Sequence, residues 1–290
     1  MAATAKNTVF TTICDYPNPE MVSEPLLRSA EHFGIDVQFA SYGQPFRCLF
    51  EKFPKMYNYL RHLPSSIEYA FFMDCRDSVF AGTAEMILRN FNDVYTDGIL
   101  LQAYREAAVR GYVSPVLIKR MAGNAPHHPI ACSGCYAGAV SELIPVLERA
   151  MELRRNIDAL NLGAATVVDE LAKIYLDDPG SASSIHKLDA HDEFMFQLLQ
   201  ITDPRIHLDH DKHVSAFFSV ADADKRFLSL PQRRELPVSD IASVGTAYIF
   251  QAPGLSKRLY LWGQWVDHVI KTSKICQINN MNDVQGVPYP

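Results

Sequence analysis

The stretch Tyr69-Ala70-Phe71-Phe72-Met73-Asp74-Cys75-Arg76-Asp77-Ser78-Val79-Phe80 decides the fold. An apolar run ends abruptly in two acidic residues three apart. An unpaired charge is too costly to bury in mid-strand, so the strand is expected to stop at Met73. Carboxylates at that point sit on the rim of a sheet, where an α/β protein forms its ligand crevice. Two of them can share one hard divalent cation, and the cation can hold a diphosphate. The competing explanation is local: Asp77 caps a helix near Thr83–Asn90, and Asp74 only ends the strand.

Working outward, the segments alternate. Thr8–Cys14 is uncharged and β-rich, a buried strand. Glu20–Phe33 carries Met21, Leu26, Leu27, Ala30 and Phe33 on one helical face, and Gly34 stops it. Ile35–Ala40 is a second strand, Lys52–Leu63 a helix, and Glu68–Met73 the third strand. This order predicts parallel strands joined by crossovers. Thr83–Phe91 is then a helix and Gly98–Ala103 a strand. The segment Tyr104–Pro129 is irregular, Tyr136–Arg155 and Leu160–Leu176 are helices, and Ser181–Lys187 is a loop. His191–Gln200 is a short helix, and Ile206–Leu208, Val214–Val220 and Val244–Phe250 are strands. Ala221–Val238 is a charged surface excursion, and Ser256–Ser273 is a last helix. Together these predict an α/β fold in one domain, residues 1–276, with a polar C-terminal tail at 277–290.

Composition narrows the class without identifying it. A chain of 290 residues, 48% hydrophobic and 21% charged, has the make-up of a well-packed globular protein. A net charge of −6 and a pI near 5.9 argue against a nonspecific nucleic-acid binder, which carries a basic face. No apolar run approaches the roughly 20 residues of a membrane span, and Met1–Asn7 has no signal-peptide core. The six cysteines are scattered among apolar segments, which predicts reduced thiols and a cytoplasmic location. Cys132-Ser133-Gly134-Cys135 has redox or zinc-pair spacing but no partner pair, so a small-residue turn is expected there.

The order and spacing of these pieces, from Thr8 to Val266, resemble the glycosyltransferase domain of collagen lysyl hydroxylases and the related procollagen sugar transferases, which are of the GT-A type. The resemblance implies a mixed, mostly parallel sheet flanked by helices. It further implies that Thr11 and Thr12 end the first strand beside the nucleotide. Ser41-Tyr42-Gly43-Gln44-Pro45-Phe46 resembles the family's glycine turn, which places Phe46 near the uracil, and Lys55 matches a lysine on the next helix. Asp74 and Asp77 match the family's Asp-x-x-Asp, whose carboxylates bind manganese under uridine diphosphate (UDP). Arg76 stands where the family has an aromatic. Ala131–Gly138 resembles an Asn-Ser-Gly-Gly turn, with Cys132 in place of the asparagine. Asp189 and Asp192 match aspartates that open a helix, while His191 between them does not match. Leu208-Asp209-His210 resembles a Leu-Asp-His before a strand. The family's third metal ligand is a histidine, and Gln251 falls at that position.

The chemistry is consistent with this resemblance. A departing diphosphate needs a cation or fixed dipoles at its oxygens. Asp74 and Asp77 can hold the cation, and Lys257 and Arg258 at the start of the last helix can meet the phosphates. Asp189 or Asp192, at a helix N-terminus, can take a proton from the acceptor hydroxyl or stabilise the glycosyl cation; each can equally be a plain helix cap. The expectation is a metal-dependent glycosyltransferase using Mn2+ (or Mg2+). It moves a sugar from a UDP-sugar donor to a hydroxyl on a protein side chain, a glycan or a modified nucleobase. Two alternatives stand beside it. One is a zinc- or iron-dependent hydrolase using His207, His210 and His213. The other is an inactive nucleotide-sugar-binding protein.

Overall fold

The computed structural model describes residues 2–104, 130–161, 192–217, 247–251 and 267. Strands β1 (Thr8–Cys14), β2 (Val37–Tyr42), β3 (Tyr69–Met73), β5 (Ile99–Tyr104), β6 (Ile130–Ala139) and β7 (Ile206–Asp209) form a six-stranded sheet in the order β2-β1-β3-β6-β5-β7. Only β6 runs against the others. A second sheet, ordered β4-β9-β8, joins Ser78–Phe80, Ile249–Gln251 and Ser215–Phe217. The expected mixed, mostly parallel α/β sheet is therefore the fold.

Side chains alternate across the main sheet, as the two-residue period of a strand requires. Val9, Ile13, Ala70 and Phe72 face helix α2 (Lys52–Arg61) and the helices Val140–Asn161 and Asp192–Thr202. Phe10, Cys14, Tyr69, Phe71 and Met73 face α1 (Pro19–Phe33) and α3 (Ala84–Val94). Both faces are covered, so β1 and β3 read as unbroken apolar runs. Each large side chain buried this way contributes about 1.5–3 kcal/mol. The helix ends also follow from sequence. Pro19 opens α1, and Gly34, at φ 66°, closes it by donating its N–H to Ala30 and Glu31. Thr83 caps α3, its Oγ1 accepting the Met86 N–H at 3.4 Å. The cap therefore belongs to Thr83 and not to Asp77.

The largest departure from expectation lies at Ile130–Ala139. The helix begins at Val140, so Tyr136 is in a strand. Tyr136 stacks on Phe72 of β3 with ring centroids 4.7 Å apart. The Ala-, Gly- and Cys-rich sequence suits a central strand whose neighbours press close. A Cβ on Gly138 would meet the Gly98 carbonyl oxygen at 2.7 Å. Cys132–Cys135 is consequently a bulge rather than a turn: β5 pairs with Tyr136 through Leu101 and with Cys132 through Gln102, skipping three residues.

Several expected features fall outside the described residues: segment 105–129, helix 162–176, loop 181–187, excursion 221–238 and tail 277–290. Of the helix expected at 256–273, only Asp267 is described. Among the described residues no helix is long and apolar enough to cross a membrane.

Candidate functional site

β1 and β3 are parallel neighbours in the register Thr8↔Tyr69, so the residues that follow them, Asp15-Tyr16 and Asp74, emerge on one rim. Asp15 is buried and organises the loop after β2. It accepts the Gln44 N–H at 3.0 Å through its carboxylate and the Phe46 N–H at 3.2 Å through its backbone carbonyl. Lys55 Nζ lies 2.6 Å from the same carboxylate and 5.0 Å above the Phe46 ring. Phe46 meets Tyr16 edge to face at 5.9 Å, and Arg76 covers Tyr16 at 5.8 Å. Phe46 and Lys55 are thus brought together, and Arg76 supplies a cationic plane near the position expected of an aromatic.

Asp74 is the hub of the rim. Its Oδ1 lies 2.6 Å from Lys52 Nζ, and its Oδ2 accepts Gln251 Nε2 at 3.3 Å. Lys52 Nζ also lies 2.9 Å from Asp192 Oδ2. Gln251 arrives on β9, opposite Ser78 and next to Asp77 in sequence register. Its Oε1 accepts the Cys132 thiol at 3.3 Å. The bulge at Ser133–Cys135 makes this approach possible, because a Cβ on Gly134 would overlap the Gln251 amide. The Gly134 carbonyl meanwhile accepts the Asp74 N–H at 2.8 Å. The expected ligands Asp74 and Gln251 and the expected catalytic carboxylate Asp192 therefore form one cluster, and the charge of Asp77 reaches Asp74.

The electrostatics follow from crowding. Burial raises the Asp74 carboxyl to about 6; Lys52 opposes that rise, while Asp192 and Asp77 add to it. Burial also acts to lower Lys52, yet Asp192 and Asp74 outweigh it and hold the ammonium well above the ordinary lysine range. The physical picture is a charged lysine facing more carboxylates than it can neutralise. Burial, with Asp74 adding to it, raises the Tyr16 hydroxyl as well, so it remains a neutral donor. Glu193, beside Asp192, is raised by burial to about 8.

The donor chemistry fits a hard divalent cation. Asp74 and Asp77 offer carboxylate oxygens, and the Gln251 amide, whose nitrogen faces Asp74, would offer its oxygen after turning over. Among the described residues no three His, Cys, Asp or Glu side chains converge as a metal-binding group. A cation here would have to draw further ligands from substrate oxygens.

Other expected residues play different parts. The Thr11 hydroxyl donates to the Gln38 carbonyl at 3.0 Å and the Thr12 hydroxyl to the Met73 carbonyl at 2.6 Å, so both tie β1 to its neighbours. Asp209 accepts the backbone N–H groups of His213, Val214 and Ser215 at 2.8–2.9 Å and folds the turn into β8. His207 Nε2 pairs with Asp97 at 3.0 Å, and His213 Nε2 lies 4.0 Å from Asp211. His207, His210 and His213 do not assemble a metal-ligating group among the described residues. Asp189, Lys257 and Arg258 lie outside the described residues.

Sequence reasoning overlooked Lys52, Tyr16 and Gly134. Lys52 left a trace: the buried face of α2 runs through Leu60, Met56 and Phe53, and Lys52 lies on it one turn before Met56. A lysine in that phase requires buried carboxylate partners.

No known family model matches the chain, and no curated protein does. Among solved structures, the chain is similar to a glycosyltransferase involved in the glycosylation of the major capsid of PBCV-1. The identity is 9%, the match covers 89% of this chain and 97% of that one, and the TM-score is 0.45. At this level of similarity, the functional assignment rests on the side chains of the rim.

Proposed function

We propose that the chain is a GT-A-type glycosyltransferase that moves a sugar from a UDP-sugar to an acceptor hydroxyl. The observation that carries this reading is Asp74 at the end of β3, gathered with Asp192 and Gln251 on the same rim as the Phe46–Tyr16 pair. The motif resemblance to the collagen lysyl hydroxylase domain points the same way. Phe46 and Tyr16 offer apolar ring surface to a nucleobase, flanked by Lys55 and Arg76. Asp74, Asp77 and Gln251 would hold Mn2+ or Mg2+, which supplies positive charge to the departing diphosphate. Lys257 and Arg258 are assigned to the same phosphates. Asp192, which Lys52 holds, would accept the acceptor's proton or stabilise the glycosyl cation, with Asp189 as its sequence neighbour in that role. The acceptor is a hydroxyl on a protein side chain, a glycan or a modified nucleobase. A cytoplasmic setting belongs to the same proposal, since Cys14, Cys48, Cys75, Cys132 and Cys135 are free thiols.

Thermal unfolding with UDP and MnCl2, together and separately, tests the reading. Together they are expected to raise the Tm by more than the sum of the two alone, because each completes the other's site. Equal stabilisation by ADP or GDP, or stabilisation by UDP undiminished by EDTA, would overturn it. Stabilisation without hydrolysis or transfer of any UDP-sugar would leave a binding protein.

A further inference from the structure

Lys52 is 7% exposed, and its ammonium bridges two carboxylates from different parts of the chain. Asp74 comes from the end of β3 and Asp192 from the start of the helix Asp192–Thr202. Both Asp74 oxygens are engaged, Oδ1 by Lys52 and Oδ2 by the Gln251 amide nitrogen. An oxygen held at 2.6 Å by an ammonium cannot also present that lone pair to a divalent cation. Two cations sharing one carboxylate oxygen would also repel each other strongly in a partly desolvated site. Asp192 gives the ammonium a second anchor, so Lys52 can leave Asp74 without becoming a lone buried charge.

We infer that Lys52 is a built-in counter-ion that holds Asp74 in the ligand-free protein and yields it on metal binding, withdrawing onto Asp192. The inference rests on the metal-binding reading given above and adds a role for a residue outside the Asp-x-x-Asp motif. Its consequence is that Mn2+ binds weakly until substrate oxygens help displace Lys52. Asp192 is then fixed by Lys52 at the moment the donor site is complete, which couples the donor end of the crevice to the acceptor end. Lys52 is in this sense a positioning residue.

The test is direct titration of MnCl2, following the free-ion electron paramagnetic resonance signal, on wild type, Lys52→Met and Lys52→Arg, with and without UDP. Lys52→Met, similar in length and uncharged, is expected to bind Mn2+ without UDP about tenfold more tightly or better, a typical coupling scale. Lys52→Arg, which keeps the charge, should stay near wild type. Unchanged or weaker Mn2+ binding by Lys52→Met, while wild type binds Mn2+, overturns the inference and leaves the metal reading standing. Absence of Mn2+ binding in wild type and variants, even with UDP, overturns both. Should Lys52→Met fail to fold, ¹⁵N spectra of the wild-type lysine ammonium groups during MgCl2 titration decide, with Lys52→Arg giving the assignment. The Lys52 signal is expected to move in step with Mg2+ binding, and a fixed signal overturns the inference.

Discussion

Gly134 and Gln251 compete for one volume: the amide of Gln251 occupies the place where any side chain at 134 would begin. The bulge in β6 therefore admits Gln251 to Asp74, and the absence of a side chain at 134 is a property of the site. Gly134→Ala must push Gln251 away or shift β9. The expected result is a stability loss of about 1–3 kcal/mol, the usual range for overpacking, together with loss of the joint UDP–Mn2+ stabilisation. Denaturant unfolding and ligand-dependent melting measure the two effects separately. Retained joint stabilisation would show that the Gln251 amide is not needed at Asp74.

The two candidate metal sites separate cleanly by mutation. Asp74→Asn keeps the shape of the rim but removes the charge that Lys52 and a cation would share. UDP binding in the presence of Mn2+ should weaken by the ~2–5 kcal/mol typical of removing a hydrogen-bonded, partly buried charge. Asp77→Asn should weaken it in the same direction. His207→Ala and His213→Ala act on the pairs with Asp97 and Asp211 rather than on Asp74, so they should change binding little. Calorimetry on the four variants checks this. Loss of Mn2+ binding in the histidine variants with retention in the aspartate variants would instead favour a hydrolase.

The sequence made some of this legible for a physical reason. β1, α1, β3 and α3 depend on local pattern: unbroken apolar runs, a 3.6-residue period, Gly34 and Thr83 at helix ends. Asp74 was visible because a carboxylate cannot sit inside such a run. β6 was not visible, because small residues in a crowded central strand resemble a turn, and only the packing of Gly138 on β5 and Tyr136 on Phe72 distinguishes them. β4 was hidden as well, being three residues long and defined by pairing with a segment far along the chain. The family resemblance points to Lys55, and Lys52 reads locally as no more than the first residue of a helix. Its burial depends on Asp74 and Asp192 meeting in space, a contact no local window contains.

Glu193 gives a pH signature independent of any ligand. Its carboxyl is raised to about 8 from an ordinary 4.5 by burial, with Gln197 Nε2 donating to Oε1 at 3.1 Å. Between those values the folded chain keeps a proton that the unfolded chain releases. Stability therefore falls as pH rises through this window, and the penalty is complete above about 8. Glu193→Gln keeps an acceptor for Gln197 and does not titrate. Its Tm should match wild type near pH 4.5 and exceed it increasingly up to pH 8, by about 2–4 °C for each kcal/mol relieved. Parallel Tm–pH curves for the two proteins would show that Glu193 ionises freely in the fold.

Gln251→His tests the third ligand. Gln251 is buried, borders Asp74 and touches Cys132, and Gly134 leaves room around it. In the wild type the amide donates to Asp74, so it acts as a hydrogen-bond partner of the carboxylate, and it must turn over to present its oxygen to a cation. A neutral imidazole at 251 offers a ring-nitrogen lone pair that a cation can use directly, without an amide having to turn over. Mn2+ affinity without UDP is expected to rise by about 1–3 kcal/mol, while affinity with UDP present should rise less, because phosphate oxygens already complete the coordination. The difference between the two titrations is the informative quantity, since a general change in site stability would move both equally. Equal gains would mean that residue 251 acts on the fold of the rim, and no gain in either would remove it from the ligand set.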